Sequence, residues 1–177
     1  MSTIKRTYFK DTSKIDEFAE VLSELIDNDT VIICVGTDKC IGDCLGPLVG
    51  TLLKEKELPL TVYGTIEKPI HALNVEKEHL KIRQKHPDSK ILAIDACIGS
   101  DDSIGDICIT NTPVNPGCGV GKKINSVGDF SIVGIVDSCK DVSLFTTRPI
   151  RLDFILKMAK FITDSLISAL NKEEVLC

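Results

Sequence analysis

Two aspartates stand where an α/β chain would place a catalytic pair of carboxylates. Asp43 lies in IGDCLGP, between a strand pattern and a helix pattern, and Asp95 lies in LAIDACIGS, at the end of another strand pattern. Two carboxylates that share one proton can activate a water molecule and protonate a leaving amine. The pair forms only if these two strands are neighbours in the sheet, because the aspartates are far apart in the chain.

The surroundings of the two aspartates predict different roles for them. Asp43 is expected at a helix N-terminus, where the helix dipole favours its anion, and we predict that it acts as the base. Asp95 stands between Ile94 and Ala96 on a buried strand, where desolvation raises a carboxyl pKa, and we predict that it carries the proton. In the non-catalytic alternative, Asp43 only caps the helix and Asp95 accepts backbone N–H groups in a turn.

Four further residues are predicted to bind substrate at the same rim. His71 follows GTIEKP at a helix start, where it orients a carboxylate or contacts substrate; the alternative is a partly exposed helix-start residue. Glu67 follows the second strand, and Asp38 and Gly99 come just after the first and third strands. His79, on the helix that follows His71, is expected to face solvent.

The eight cysteines are predicted to be reduced, and most of them buried. Cys34 and Cys108 stand inside apolar runs, and the chain contains no CxxC motif that would indicate a zinc site. Cys44 and Cys97 each neighbour one of the aspartates, but a thiol nucleophile needs a nearby base to lower its pKa, and none is evident. We therefore predict no metal site.

No cofactor is expected either. GTDKCIGD lacks the G-x-G-x-x-G spacing of a dinucleotide-binding turn, and GVGKK lacks the first glycine and the Ser/Thr of a P-loop. The glycine-rich segment PGCGVGKK is predicted to be a backbone turn.

Apolar runs and helical periodicity alternate along the chain, which is typical of an α/β fold. Strands are predicted at 31–36, 60–66, 90–96, 105–110 and 129–136, and helices at 14–26, near 47–56, at 71–86 and at 151–170. The strands read as continuous hydrophobic runs, which indicates a mostly parallel sheet covered on both faces. We predict one three-layer α/β/α domain over 1–177, with 1–28 as an N-terminal helical segment packed on it.

The amino-acid composition argues against two classes of function, nucleic-acid binding and membrane association. The 177 residues carry 21 Lys and Arg against 26 Asp and Glu, a net charge of −5, which argues against a nucleic-acid partner. No apolar signal-peptide core and no run of about 18 apolar residues is present, so a cytoplasmic protein without a membrane partner is expected. The oligomeric state, homo-oligomers included, is left open by the sequence.

Five segments in register carry a family resemblance. GTDKCIGDCLGPLVG, GTIEKPIHALN, ILAIDACIGS, NPGCGVGKK and VGDFSIVGIVD resemble the YyaC-type spore-protease family of endospore-forming Firmicutes. That family is similar to the spore germination protease and, more distantly, to the hydrogenase-maturation proteases. The resemblance implies a phosphorylase/hydrolase-like (HybD-like) fold and a peptidase with an aspartic-type dyad. It matches Asp43 and Asp95 to the two germination-protease aspartates and implies protein or peptide substrates, spore proteins among them.

Two other functions stay open. A metal-sensing processing protease of the hydrogenase-maturation kind needs a histidine after the third strand; that histidine is missing, and only His71 could replace it. The other alternative is a non-catalytic member that keeps only the fold. Lys39, Cys40 and Ile41 stand where the family usually has Arg-Ser-Thr, which favours this alternative slightly. The two intact aspartates argue against it.

Overall fold

The computed structural model describes residues 3–56, 59–116, 125–138 and 149–174. Within them, a mixed sheet of six strands carries helices on both faces, which is an α/β fold. The strands are β1 (Thr3–Tyr8), β2 (Val31–Cys34), β3 (Thr61–Tyr63), β4 (Ile91–Gly99), β5 (Asp106–Thr110) and β6 (Phe130–Ser138). The helices are α1 (Ile15–Ser23), α2 (Leu45–Glu55), α3 (Val75–Lys85) and α4 (Leu152–Glu174).

The strand order is β1-β5-β6-β4-β2-β3. Strands β3, β2, β4 and β6 pair in parallel, and β5 runs antiparallel to both β6 and β1. The neighbouring positions of β2 and β4, on which the aspartate pair depends, are thereby confirmed. Continuous β-branched runs such as VIIC form the central strands because both of their faces are buried.

The N-terminal segment differs from its prediction, which was helical over 1–28. Residues Thr3–Tyr8 form an edge strand paired with β5, and only Ile15–Ser23 form the helix α1, which packs on α4. The strand TIKRTY has charged residues at its centre and buries only Thr7, so it lacks the apolar run by which the other strands were recognised. An edge strand tolerates such residues because one of its sides is open to water.

Two apolar clusters fill the two sides of the sheet. The larger cluster joins α1, α2 and α4 to side chains such as Ile32, Leu92 and Ile132, and the smaller one joins α3 to Ile33, Ala93 and neighbouring side chains. Because successive strand residues point to opposite faces, Asp95 belongs to the α3 face, in line with Ala93. Among the described helices, none combines the length and the apolar character that a bilayer crossing requires.

Candidate functional site

Asp43 lies in a short turn that closes the connection from β2 to α2. The turn Ile41–Asp43 is a single 3-10 turn, and α2 begins two residues after Asp43. The Asp43 N–H donates to the Cys40 carbonyl at 3.0 Å, and the Thr37 N–H donates to the Asp43 carbonyl at 3.0 Å. These bonds fix the backbone of the turn, and with it the origin of the Asp43 side chain, just beyond the carboxyl end of β2.

Two glycines let this turn approach the sheet. Gly36 adopts φ +136°, and a Cβ built on it would lie 2.0 Å from the Asp43 carbonyl oxygen. A Cβ on Gly46, in the first turn of α2, would lie 2.1 Å from the Val35 carbonyl oxygen. A side chain at either position would therefore push Asp43 away from the strand end.

The first residue of α2 also anchors the turn. Leu45 is fully buried, and a Cβ built on Gly134 of β6 would lie 2.3 Å from its Cδ2 atom. The missing side chain at Gly134 thus leaves the space that the Leu45 side chain fills. The start of α2 is consequently seated over the central strands, two residues from Asp43.

Asp95 lies in one of the two inner strands of the parallel part of the sheet. Its strand β4 is flanked by β2 and β6, and the Val35 N–H donates to the Ile94 carbonyl at 2.7 Å. The carboxylate Oδ1 accepts the N–H of Ala96 at 2.8 Å. Protein atoms surround the carboxyl closely, yet the residue as a whole keeps some solvent-accessible surface.

Burial and electrostatic interaction both shift the pKa values of the two carboxyls. Burial raises the pKa of Asp95 well above its ordinary value, and the nearby charge of Asp43 raises it further. Burial also raises the pKa of Asp43 to about 6, against which a hydrogen bond from the Thr37 backbone acts. Both carboxyls therefore bind a proton more tightly than an exposed aspartate does, and ionised Asp43 opposes ionisation of Asp95.

Position before α2 predicts a stabilised Asp43 anion, whereas burial, the largest cause of its shift, raises the pKa of Asp43. The N-terminal position before α2 is held by Cys44, and no side chain caps the helix there. Asp43 thus lacks the capping role that the non-catalytic alternative assigned to it. The raised pKa of Asp95 is the direction that desolvation predicts, and its role as the proton carrier stays a prediction.

His71 lies on the loop next to that of Asp43. The Gly36 N–H donates to the Ile70 carbonyl at 2.7 Å, and Val35 and Ile70 form an isolated parallel bridge, so the loops that follow β2 and β3 run side by side. His71 is half-buried, and its Nδ1 accepts the Leu73 N–H at 3.3 Å. In neutral His71 this bond leaves Nε2 as the N–H donor.

The other predicted substrate-binding residues lie on the loops and at the strand end near this edge of the sheet. Asp38 is exposed, and its charge raises the pKa of the Cys44 thiol, which places it near the Asp43 turn. Glu67 is exposed in the turn that follows β3. Gly99 ends β4, and a Cβ on it would lie 2.7 Å from Ser103 Oγ, so close packing accounts for a glycine there. A substrate role for these residues and for His71 stays a prediction.

The thiols beside the two aspartates are poor nucleophiles. Burial raises the pKa of Cys44, and burial together with the charge of Asp95 raises the pKa of Cys97 to about 12. A thiol nucleophile must ionise, so both residues are inert at neutral pH. All five cysteines that the structure describes are unpaired, as predicted, and three of them, Cys34, Cys44 and Cys108, are buried.

Sequence reasoning missed a third carboxyl at this edge, Asp137. It is 4% exposed on β6, pairs with Ile98 of β4, and accepts the Ser138 N–H at 2.8 Å, as Asp95 accepts the N–H of its own successor. The signal was present in the sequence, because GIVD repeats the pattern of an apolar run that ends in aspartate. The predicted strand ends at Val136, one residue before Asp137, whereas β6 continues to Ser138.

Within the described ranges, no group of three or more His, Cys, Asp or Glu side chains is arranged to hold a metal ion. Most of the predicted glycine-rich turn lies outside these ranges, in 117–124.

Comparison with known proteins identifies the family. The family described as "Protein of unknown function (DUF1256)" matches residues 6–165. The chain belongs to the DUF1256 family. It is also similar to the "Uncharacterized protein YyaC" of Bacillus subtilis (strain 168), with 39% identity over 137 residues, which cover 77% of this chain and 67% of YyaC. The YyaC-type part of the predicted resemblance is thereby confirmed, and both loops that border Asp43 lie inside the DUF1256 match.

Proposed function

We propose that the chain is a peptidase that hydrolyses peptide bonds with Asp43 and Asp95 as an aspartic-type dyad. The observation that supports it is the coupled pair at one edge of the sheet, in which both carboxyl pKa values are raised and the charge of Asp43 acts on Asp95. The resemblance of the IGDCLGP and LAIDACIGS segments to the spore germination protease supports the same reading. With it we propose the three-layer phosphorylase/hydrolase-like fold and substrates among spore proteins.

The proposed chemistry follows from the different protonation of the two groups. Near neutral pH, ionised Asp43 accepts a proton from the attacking water while the water oxygen bonds to the carbonyl carbon of the substrate. Protonated Asp95 gives its proton to the leaving amine as the carbon–nitrogen bond breaks. The products are a carboxylic acid and an amine, and proton exchange with solvent restores the singly charged pair.

Roles are proposed for the neighbouring groups as well. The Thr37 hydrogen bond lowers the pKa of Asp43 against the effect of burial, and the Ala96 N–H holds Asp95 at one oxygen. His71, Glu67, Asp38 and Gly99 are proposed to line the path of the substrate. For His71 the proposed contact is a hydrogen bond from Nε2–H to a substrate carbonyl.

The proposal is tested by mapping new protein termini. The wild-type chain is incubated with a spore-core protein extract, and mass spectrometry identifies the termini that it creates. Replacing either aspartate, Asp43→Asn or Asp95→Asn, removes a proton-transfer group at nearly constant shape, and we expect the rate to fall by about 10²–10⁴-fold. Asp153→Asn, an exposed change on α4, is the matched control and should cleave normally.

Three further readouts distinguish the mechanisms. The wild-type rate should follow a bell-shaped pH curve whose two limbs belong to the pair. Alkylation of thiols and addition of EDTA should leave the rate unchanged. Cleavage that survives Asp95→Asn but stops with EDTA would replace the dyad by a metal-assisted reaction, and an absence of new termini from active, folded preparations would favour a non-catalytic protein.

A further inference from the structure

Large apolar side chains are exposed on both loops that border the candidate dyad. Ile41 is 44% exposed in the turn that carries Asp43, and Ile66 (37%) and Leu73 (78%) are exposed on the loop between β3 and α3. Isolated exposed apolar residues are ordinary on protein surfaces. Three of them on two adjoining loops at one end of the sheet form an apolar rim, a name used below for Ile41, Ile66 and Leu73 together.

Hydrogen bonds fix the backbone of the apolar rim. The Ile41 carbonyl accepts the Cys44 N–H, and the Ile66 N–H donates to Thr51 Oγ1 of α2 at 3.1 Å. The Leu73 N–H donates to His71, whose own N–H donates to Asn74 Oδ1 at 2.8 Å. Leu73 is therefore presented to solvent by an ordered turn, and binding a ligand there requires little additional backbone ordering.

The apolar rim is continuous with the candidate site. The hydrogen bond from Gly36 to Ile70 ties the β3–α3 loop to the β2–α2 loop, and Asp43 follows Ile41 by two residues. The loops that carry the apolar rim are therefore the loops that a substrate segment bound at Asp43 would meet on either side. A change at the rim is expected to alter binding of the substrate rather than the chemistry of the carboxyls.

Charge gives the rim no preference for acidic or basic ligands. The exposed charged residues on the same two loops are Asp38, Glu67, Lys39 and Lys68, two acidic and two basic. Their formal charges cancel, and Asp43 is the one further acidic residue on these loops, so electrostatic attraction contributes little to the choice of ligand. Selection then depends on burial of apolar surface, which is the contribution that the rim offers.

Building on the proposed peptidase, we propose that the apolar rim selects its substrates: extended polypeptide segments with a large aliphatic or aromatic side chain close to the bond that is cut. A second copy of the chain fits the rim less well. The three side chains expose on the order of 300 Å², against roughly 800 Å² that each partner buries in a stable interface. An extended peptide, by contrast, needs to insert only one or two side chains.

The test separates binding from cleavage. A fluorescent decapeptide library with one randomised central position is offered to the Asp95→Asn protein, which can bind without cutting, and the same library is offered to the wild type for cleavage. We expect Leu, Ile, Met and Phe to be enriched at the randomised position in both experiments. Leu73→Ser and Ile41→Ser, each in the Asp95→Asn background, should weaken binding of the best peptide by about tenfold.

Leu80→Ser is the matched control, because Leu80 is 61% exposed on α3, outside the rim, and should leave binding unchanged. Equal effects of Leu73→Ser and Leu80→Ser, enrichment of polar residues, or no peptide binding at all would overturn the inference. So would sedimentation measurements in which Leu73→Ser abolishes a dimer of the wild type. Apolar peptides that bind at the rim but are never cut would instead reject the peptidase and leave the binding preference intact.

Discussion

The two faces of the sheet are covered unequally, and the candidate site lies at the sheet edge between them, with Asp95 on the less covered face and Asp43 at the start of α2. Among the described residues, three helices, α1, α2 and α4, enclose one face in a single large apolar cluster, whereas α3 and the bridged residues Val114 and Val127 cover part of the other. Buried hydroxyls on the first face form hydrogen bonds within their own helix: Thr163 and Ser165 donate to backbone carbonyls one turn earlier in α4. The α3 face carries the Asp95 carboxyl, the thiols of Cys97 and Cys108, and His79 instead.

This difference separates the residues that stabilise the fold from those that can do chemistry. Complete enclosure yields the greatest gain from apolar burial but leaves no surface for a substrate. Partial enclosure raises carboxyl pKa values by desolvation while it leaves the groups accessible, which is a common property of functional sites. The stability of the four-helix, six-strand unit is thus expected to depend mainly on the first face.

Matched isoleucine truncations test the comparison of the two faces. Ile162 of α4 and Ile82 of α3 are 0% and 3% exposed. We expect Ile162→Ala to lower the free energy of unfolding by about 3–5 kcal/mol and Ile82→Ala by about 2–3 kcal/mol, because neighbours of a one-helix layer relax more easily into the cavity. Urea titrations with unchanged slope measure both values. Equal costs would show that the two faces contribute alike.

The second prediction concerns the loss of stability that partial desolvation of Asp43 causes. Its pKa of about 6 in the folded chain exceeds the ordinary 3.8, so the folded state holds the proton more tightly than the unfolded state does. Stability contributed by the protonated form is present below about pH 4 and is lost as the pH rises through about 6. Asp43→Asn should therefore raise the free energy of unfolding at pH 7 by about 1–3 kcal/mol.

Urea titrations between pH 4 and pH 8 check this, with exposed Asp38→Asn as the control that should change stability by less than about 0.5 kcal/mol. Removing the Asp43 charge should also lower the pKa of Asp95, which carboxyl ¹³C NMR measures directly. A destabilised Asp43→Asn protein at pH 7 would contradict the desolvation argument and indicate a structural role for the carboxylate.

The sequence was informative where one physical effect dominated. The VIIC and LAID runs predicted buried central strands, because continuous β-branched and aliphatic residues suit strands covered on both faces, and strand-end position alone selected Asp43 and Asp95. The edge strand β1 was not predicted, because it carries charged residues, which an edge strand tolerates since one of its sides faces water. The adjacency of β2 and β4 depends on tertiary packing, so the sequence alone could not predict it.

The pKa of Asp43 shows a second limit. Position before α2 predicts a stabilised anion, but the close approach of Gly36 and Gly46 to the strand brings the carboxyl into a desolvated site, and desolvation dominates. Such proximity is a property of three-dimensional packing and cannot be read from local spacing. For His79, similarly, a polar helix predicted a solvated ring, whereas the structure buries its Nε2 atom.

His79 supplies the smallest predicted effect and a further test of the α3 face. Its buried Nε2 has no hydrogen-bond partner among the described residues, and burial lowers its pKa, with the charge of Arg83 adding to the effect and Asp129 opposing it. The folded state thus favours the neutral ring, and stability should fall as the pH drops below about 6.5, by no more than about 1 kcal/mol.

Comparing the free energies of unfolding of wild type and His79→Gln at pH 7.5 and pH 5.5 isolates this contribution. The variant should lose part of the decline on acidification, whereas His86→Gln, which removes the ring that pairs with the Tyr63 hydroxyl at 3.0 Å, should keep it. Identical declines in wild type and His79→Gln would mean that the ring gains a proton in the folded state as easily as in the unfolded one. The α3 face would then admit water beneath its helix, and its contrast with the enclosed face would be larger than the buried side chains alone indicate.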